Sequence, residues 1–292
     1  ELLDDLILDL AKKNIEHTQS VARMPKPDRG ELKAVLYVEY LSESGDAEIE
    51  RNFDELRALI EDRDPDAGFI AHTDTKDMER ALELRRAGEP LLHSIPGARK
   101  PLGFIEDNAI PPDRLGEFVR KLREIIESRG TRASFWAHAS VGVLHVRPLL
   151  DLDDDQDNER MEQIAVETAE LAQKLGGVMS GEHGDGKARG PLIERFFGEE
   201  LTDAFRQTKE LFDPHYALNP GNIVPRPGDD PPDIRTIHEH TRKRPTDERL
   251  PHPTVETYFD YEHEGGYQHA MELCNGAGVC RKSKRAASGA MC

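Results

Sequence analysis

The stretch Ser180-Gly181-Glu182-His183-Gly184-Asp185-Gly186-Lys187-Ala188-Arg189-Gly190 constrains this chain more than any other. Four glycines in eleven residues oppose a regular helix or strand and let the backbone come close to a ligand or to another segment. Between them stand two acids, an imidazole, a lysine and an arginine. A turn that only reversed the chain would need fewer glycines and no such set of titrating groups. The stretch reads as a functional loop that the other elements must hold. It is not a phosphate loop: Gly181 to Lys187 spells G-x-x-x-x-G-K, but Ala188 stands where a magnesium-holding hydroxyl belongs. Glu182 and Asp185 would also face a phosphate with negative charge.

With 292 residues, 37% of them hydrophobic, the chain can bury one large core or two modest ones. A formal charge of −18 argues against a nucleic-acid partner, because phosphate binding needs clustered basic groups. No apolar run reaches the length of a membrane span. The three cysteines fall in the last nineteen residues, so they cannot staple the body of the fold, which fits a reducing, cytoplasmic setting.

Hydrophobic periodicity divides the chain into alternating elements. Residues 1–24 read as an amphipathic helix, with Leu2, Leu3, Leu6, Ile7 and Leu10 on one side, ended by the Pro-Lys-Pro break at 25–27. Strands are expected over 33–41, 67–72 and 102–105. Helices are expected over 46–61, 77–86, 111–128, from the acidic run after 151 to about 175, and over 191–197 and 200–212. The pattern predicts an α+β fold, a mainly antiparallel sheet with helices on one face. From Pro225 to Thr254 seven prolines and many charges replace periodicity, which predicts an extended linker.

Residues 134–150 predict a pair of strands. If Val141-Gly142 form a two-residue turn, His138 and His145 lie directly opposite each other on one face, with Cβ atoms about 5 Å apart. Two imidazoles at that separation can share one metal ion with zinc-like bonds of about 2.0–2.1 Å. The nearby Asp151-x-Asp153-x-Asp155 run imitates a calcium loop, but Gln156 stands at its obligatory glycine, and acids at a helix start explain it better.

Taken together, the H-x6-H pair, the Gly-Glu-His-Gly loop, Phe212-Asp213-Pro214 and Leu218-Asn219-Pro220-Gly221 resemble the C-terminal domain of FAD-linked 2-hydroxyacid dehydrogenases, within the vanillyl-alcohol-oxidase and p-cresol-methylhydroxylase superfamily. The branch is similar to large bacterial proteins that fuse the flavin enzyme to an iron–sulphur module. This resemblance implies a flavin-oxidase cap domain over 1–225, a linker over 226–257 and the start of an iron–sulphur domain over 258–292. The FAD-binding domain is expected upstream, and the rest of the iron–sulphur domain downstream.

Residue by residue, the resemblance makes His138, His145 and Glu182 ligands of a divalent, zinc-like metal, and His183 the catalytic base. Arg85 corresponds to an arginine that holds the substrate carboxylate, and Lys100 to a second carboxylate contact. Asn219 corresponds to a residue that approaches FAD. Asn222 is a departure, since relatives often have lysine after Asn-Pro-Gly. Cys274 and Cys280 keep the outer spacing of a C-x2-C-x2-C run with Ala277 at its middle position, and Met291-Cys292 resembles a Met-Cys-Pro turn. These thiols are expected to ligate a [4Fe–4S] cluster that takes electrons from the flavin. The substrate implied is a small D-2-hydroxy acid resembling 2-hydroxyglutarate or lactate, and the location cytoplasmic or peripheral at the inner membrane.

The chemistry asks for the same parts. Removing hydride from the carbon of a 2-hydroxy acid requires its hydroxyl proton to leave. A metal lowers that pKa, an imidazole accepts the proton and a guanidinium fork fixes the carboxylate. Two other readings stand beside this one. One is a metal-dependent hydrolase with zinc on His138, His145 and Glu182. The other is a non-catalytic domain that docks an electron-transfer module.

Overall fold

The computed structural model describes residues 1–230, 232–240, 256–262 and 266–272. It opens with a short strand, β1 (Leu2–Asp4), which runs straight into helix α1 (Asp5–Lys13). Asp4 makes that junction: its carboxylate accepts from the Ile7 amide at 3.2 Å as an N-cap, and also from the Phe135 amide at 2.6 Å. The single helix expected over 1–24 is therefore broken. Leu2 and Leu3 are drawn into the sheet, and a short turn of helix, α2 (Thr18–Val21), follows α1.

Next come β2 (Ala34–Leu36), α3 (Asp46–Arg63) and α4 (Thr75–Leu92). Two short strands, β3 (Lys100–Pro101) and β4 (Asn108–Ala109), precede α5 (Leu115–Ser128). The long hairpin β5 (Ala133–His138) and β6 (Val143–Leu150) leads to α6 (Asp155–Lys174). After the glycine loop come α7 (Gly186–Arg189), α8 (Ile193–Phe197) and α9 (Glu199–Phe212). The sheet is antiparallel in order β2-β1-β5-β6-β3, with β4 also on the free side of β6.

Helices cover both faces of this sheet, not one. Phe135, Ala137, Leu144, Val146 and Leu150 join Phe118, Leu122 and Ile126 of α5 and Met161, Ile164 and Ala165 of α6 in one core. On the other face Trp136 and Leu149 pack with Leu3, with Ile7 and Leu8 of α1, and with Leu84 and Leu91 of α4. Strict alternation along β5 and β6 sends neighbours to opposite cores, so both strands are buried on both sides.

The strands expected at 33–41, 67–72 and 102–105 are shorter or absent. β2 keeps only three residues. Around 67–72 no ladder forms, because Phe69 is held by Phe53 and by the Arg57 guanidinium, 4.9 Å from its ring, on α3. Residues 103–106 leave the edge of β6 between β3 and β4, while the Leu102 and Asp107 amides still donate to the Pro148 and Leu144 carbonyls, and Gly103 lies against the Arg147 guanidinium where a Cβ would clash at 2.0 Å. Residues 234–240 are not extended as the proline-rich composition predicts. They form a 3-10 helix whose Ile237 is fully buried in the α5–α6 core with Ile234 packed beside it, and these apolar anchors hold the segment on the domain.

The two long helices flanking the hairpin should differ from α3 in their tolerance of change. Phe118 is completely buried, whereas α3 buries none of its residues. Phe118→Ala is expected to cost about 3–5 kcal/mol in chemical denaturation, and Leu59→Ala on α3 no more than about 0.5 kcal/mol.

Candidate metal and catalytic centre

The β5–β6 turn differs from a two-residue hairpin. Ala139–Val141 form a 3-10 turn and Gly142 adopts φ 75°, so the register pairs Trp136 with His145 and His138 with Val143. His138 and His145 are therefore diagonal, not directly opposed. They still share a face, and their rings meet edge-on with centroids 5.2 Å apart. Gly142 is required because a Cβ there would overlap the Ile110 carbonyl, which approaches to accommodate β4.

The glycine loop reaches this pair through β4. Ala109 and Val178 exchange backbone hydrogen bonds at 2.9 and 3.1 Å, which carries the loop to the turn end of the hairpin. Glu182 Oε1 then lies 3.3 Å from His145 Nε2, 3.4 Å from His183 Nε2 and 3.5 Å from His138 Nε2. Three imidazoles around one carboxylate oxygen form a donor set suited to a divalent cation. Donor atoms of Asp107, His145, Glu182 and His183 all lie within 4.8 Å of one another, so the residues present fit such an ion. The glycine-rich stretch is not wholly irregular, since Gly186–Arg189 close one turn of helix.

Around this group lies a ring of charged partners. Glu1 bridges outward: its Oε1 is 2.7 Å from His138 Nδ1, and its Oε2 accepts from Arg85 Nε at 2.9 Å. Burial works against the Glu1 carboxylate, but the His138 hydrogen bond and the Arg85 charge hold it below its ordinary value. Glu106 Oε1 faces His183 Nδ1 at 3.6 Å, and its Oε2 lies 2.6 Å from Arg147. Arg147 also spans Glu89 at 3.1 Å and covers the Trp136 ring. Asp107 is completely buried and accepts from the Ser180 hydroxyl and from the Glu182 and His183 amides. Burial would raise its carboxyl, yet those hydrogen bonds outweigh it and lower it.

Of the residues expected from sequence, His138, His145, Glu182 and His183 come together, and Arg85 joins them through Glu1. Lys100 does not. It pairs with Leu150, five residues from His145 along β6 or about 17 Å, and its Nζ donates to the Ile95 carbonyl. Asn219 is exposed at φ 45°, in a turn tied to the end of the glycine loop where Gly190 packs on the Asn222 carbonyl. Cys274, Cys280 and Cys292 lie outside the described residues. Sequence reading missed Glu1, Glu106, Asp107 and Arg147 as neighbours of the site. The Glu106-Asp107 pair just before a Pro111-Pro112 helix start was the available signal.

Among the described residues no helix is long and apolar enough to cross a membrane. The family model described as FAD linked oxidases, C-terminal domain, matches residues 1–223. The chain is 33% identical over 286 residues to D-2-hydroxyglutarate dehydrogenase of Escherichia coli (strain K12), covering 96% of this chain and 27% of that protein. It is 31% identical over 285 residues to the Haemophilus influenzae D-2-hydroxyglutarate dehydrogenase, covering 96% of this chain and 26% of that one. With D-lactate dehydrogenase of Archaeoglobus fulgidus it shares 33% identity over 154 residues, 53% of this chain and 32% of the relative. The chain thus spans about a quarter of the length of the D-2-hydroxyglutarate dehydrogenases it matches.

His145 gives the centre a pH signature. Burial first, then the charges of His138, His183 and Arg85, lower its pKa from 6.5 to about 4. Between those values the folded chain binds fewer protons at this ring than the unfolded chain. Stability from this group is complete above 6.5 and is lost as pH falls through 4. In metal-free protein the His145 ring resonance should titrate near pH 4, well below that of an exposed histidine in the same spectrum.

Proposed function

The chain belongs to the family of FAD linked oxidases, C-terminal domain, and from that premise we propose that it is the substrate- and metal-binding part of a flavin-dependent dehydrogenase. The reaction is oxidation of a D-2-hydroxy acid, resembling 2-hydroxyglutarate or lactate, to the 2-oxo acid. The observation that carries this reading is the convergence of three Nε2 atoms on the Glu182 carboxylate, with an arginine fork beside them.

His138, His145 and Glu182 would hold the cation. Glu1 keeps the His138 ring aimed, with its carboxylate on Nδ1 so that Nε2 faces the centre. Depressed basicity keeps His145 neutral at neutral pH and so available as a ligand. When bound, a divalent cation supplies Lewis acidity toward the substrate hydroxyl, and FAD supplies a two-electron acceptor. His183 then takes the hydroxyl proton at Nε2, the atom facing the centre, while its Nδ1 faces Glu106. As that proton leaves oxygen, the carbon gives up its hydrogen with both electrons, and C–O becomes C=O. Arg85 orients the substrate carboxylate. Its fork already accommodates one carboxylate, that of Glu1, at 2.8 Å, and the substrate shares that cation.

Asn219 belongs to the turn that faces the flavin in this reading. Cys274, Cys280 and Cys292 supply thiolates to an iron–sulphur cluster that accepts the electrons, within a unit spanning 258–292 joined through 226–257. The small hydroxy acid, the FAD-binding domain and the iron–sulphur domain are the partners.

In the full-length protein, His138→Ala, His145→Ala and Glu182→Ala should each lose bound metal by mass-spectrometric assay. His183→Ala should keep the metal and lose about 10²–10⁴-fold in kcat toward the responsive D-2-hydroxy acid. Metal retained in all three ligand variants, or a flavin that no 2-hydroxy acid bleaches, overturns the assignment. Separately, Cys274→Ala and Cys280→Ala should lower iron and acid-labile sulphide, and full iron occupancy in both variants removes those thiols from the cluster.

A further inference from the structure

A loop with glycine at 181, 184 and 186 has little stiffness of its own, yet it carries both Glu182 and His183. Its inward-facing donors end on one residue. The Gly181 amide donates to the Asp107 carbonyl at 2.7 Å, the Ser180 hydroxyl to Asp107 Oδ2 at 2.5 Å and the His183 amide to Oδ2 at 2.8 Å. The Glu182 amide lies 3.1 Å from both carboxylate oxygens. Ser180 Oγ in turn accepts from the Gly184 amide at 2.7 Å, extending the same network by one residue.

Asp107 is also bonded to the strand that carries His145. Its amide donates to the carbonyl of Leu144, the residue before His145, at 2.7 Å. The backbone of the strand carrying His145 and that of the loop carrying Glu182 are therefore joined by hydrogen bonds through this one residue. That residue has φ 74°, a left-handed conformation that costs most side chains about 1–2 kcal/mol and that Asp and Asn tolerate best. Buried Arg189 adds a second tie between the same two segments, donating to the Glu106 and Gly184 carbonyls. Asn108 adds a third, through Nδ2 to the Met179 carbonyl at 3.0 Å.

We propose that Asp107 is the positioning residue of this centre, its buried carboxylate fixing the Glu182 and His183 backbone against the hairpin histidines. The inference rests on the metal-and-base reading of those residues given above. Asp107 belongs to the converging donor group, but its carboxylate is turned onto the loop amides, so it holds the ligands in place instead of replacing one. A carboxylate suits the task because it only accepts. An asparagine would keep the backbone conformation and one acceptor while turning two N–H groups toward donors.

Three variants of the full-length protein test it: Asp107→Asn, Asp107→Gly, which keeps the left-handed backbone without a side chain, and Ser180→Ala. Zinc affinity is read by chelator competition, kcat and KM with the responsive hydroxy acid, and loop order by the rate of trypsin cleavage after the exposed Lys187. Asp107→Asn and Asp107→Gly are expected to weaken zinc binding about 10–100-fold, to lower kcat more than they raise KM, and to speed cleavage. Ser180→Ala should do the same to a smaller extent. If Asp107→Gly does not fold, the other two variants decide. Variants that melt earlier but keep wild-type zinc affinity and cleavage rate overturn the proposal and leave the metal reading standing. If the wild-type protein binds no zinc, the metal reading fails and the trypsin rates alone decide. Faster cleavage in Asp107→Asn then supports the positioning role, and an unchanged rate overturns it.

Discussion

Burial of β5 and β6 on both faces is the constraint on which the rest depends. One set of side chains, Phe135, Ala137, Leu144, Val146 and Leu150, is committed to the core under α5 and α6. Because a strand alternates strictly, Trp136, His138, His145 and Arg147 then have no choice but to share the opposite face. A slip of one residue would push two imidazoles and a guanidinium into an apolar core, at several kcal/mol for each unpaired polar group. The hydrophobic pattern therefore selects the register, and the register assembles half of the centre before any ligand is present.

The other half arrives by a longer route. The loop following α6 is steered to the hairpin by β4, which occupies only the turn end of β6 while β3 takes the far end. The gap between them, residues 103–106, puts Glu106 where a continuous strand would have run past, and Asp107 rejoins β6 at the Leu144 carbonyl. Giving up ladder hydrogen bonds there costs sheet stability. It frees two carboxylates to reach the glycine loop and Arg147, a local inconsistency of the kind that marks functional places.

What was legible in the sequence follows from how local each determinant is. Helices such as α5 and α6 were readable because their apolar residues repeat at helical spacing within one segment. The convergence of His138, His145, Glu182 and His183 was readable from motifs. The exact pairing was not, because a 3-10 turn at Ala139–Val141 with glycine at Gly142 shifts the register by two. The N-terminal strand was hidden: Leu2 and Leu3 fit a helical pattern, and only pairing with β2, more than thirty residues away, and with Trp136 and Ala137, more than a hundred away, makes them extended. Asp107 was hidden for the same reason, since its value lies in donors from residues 180–183 that no local pattern announces.

Charge around the centre is balanced in a way the overall −18 conceals. Each nearby arginine has a carboxylate of its own: Arg85 has Glu1, Arg147 has Glu106 and Glu89, and Arg189 has Asp185. Burial raises the Asp185 carboxyl despite that arginine, so its charge is held at a cost. These pairs offset the guanidinium charge around the imidazole cluster. The net positive influence that remains at His145 is enough, with burial, to keep its ring unprotonated. Burial first, then the neighbouring imidazoles and Arg85, thus hold the His145 ring in its neutral form.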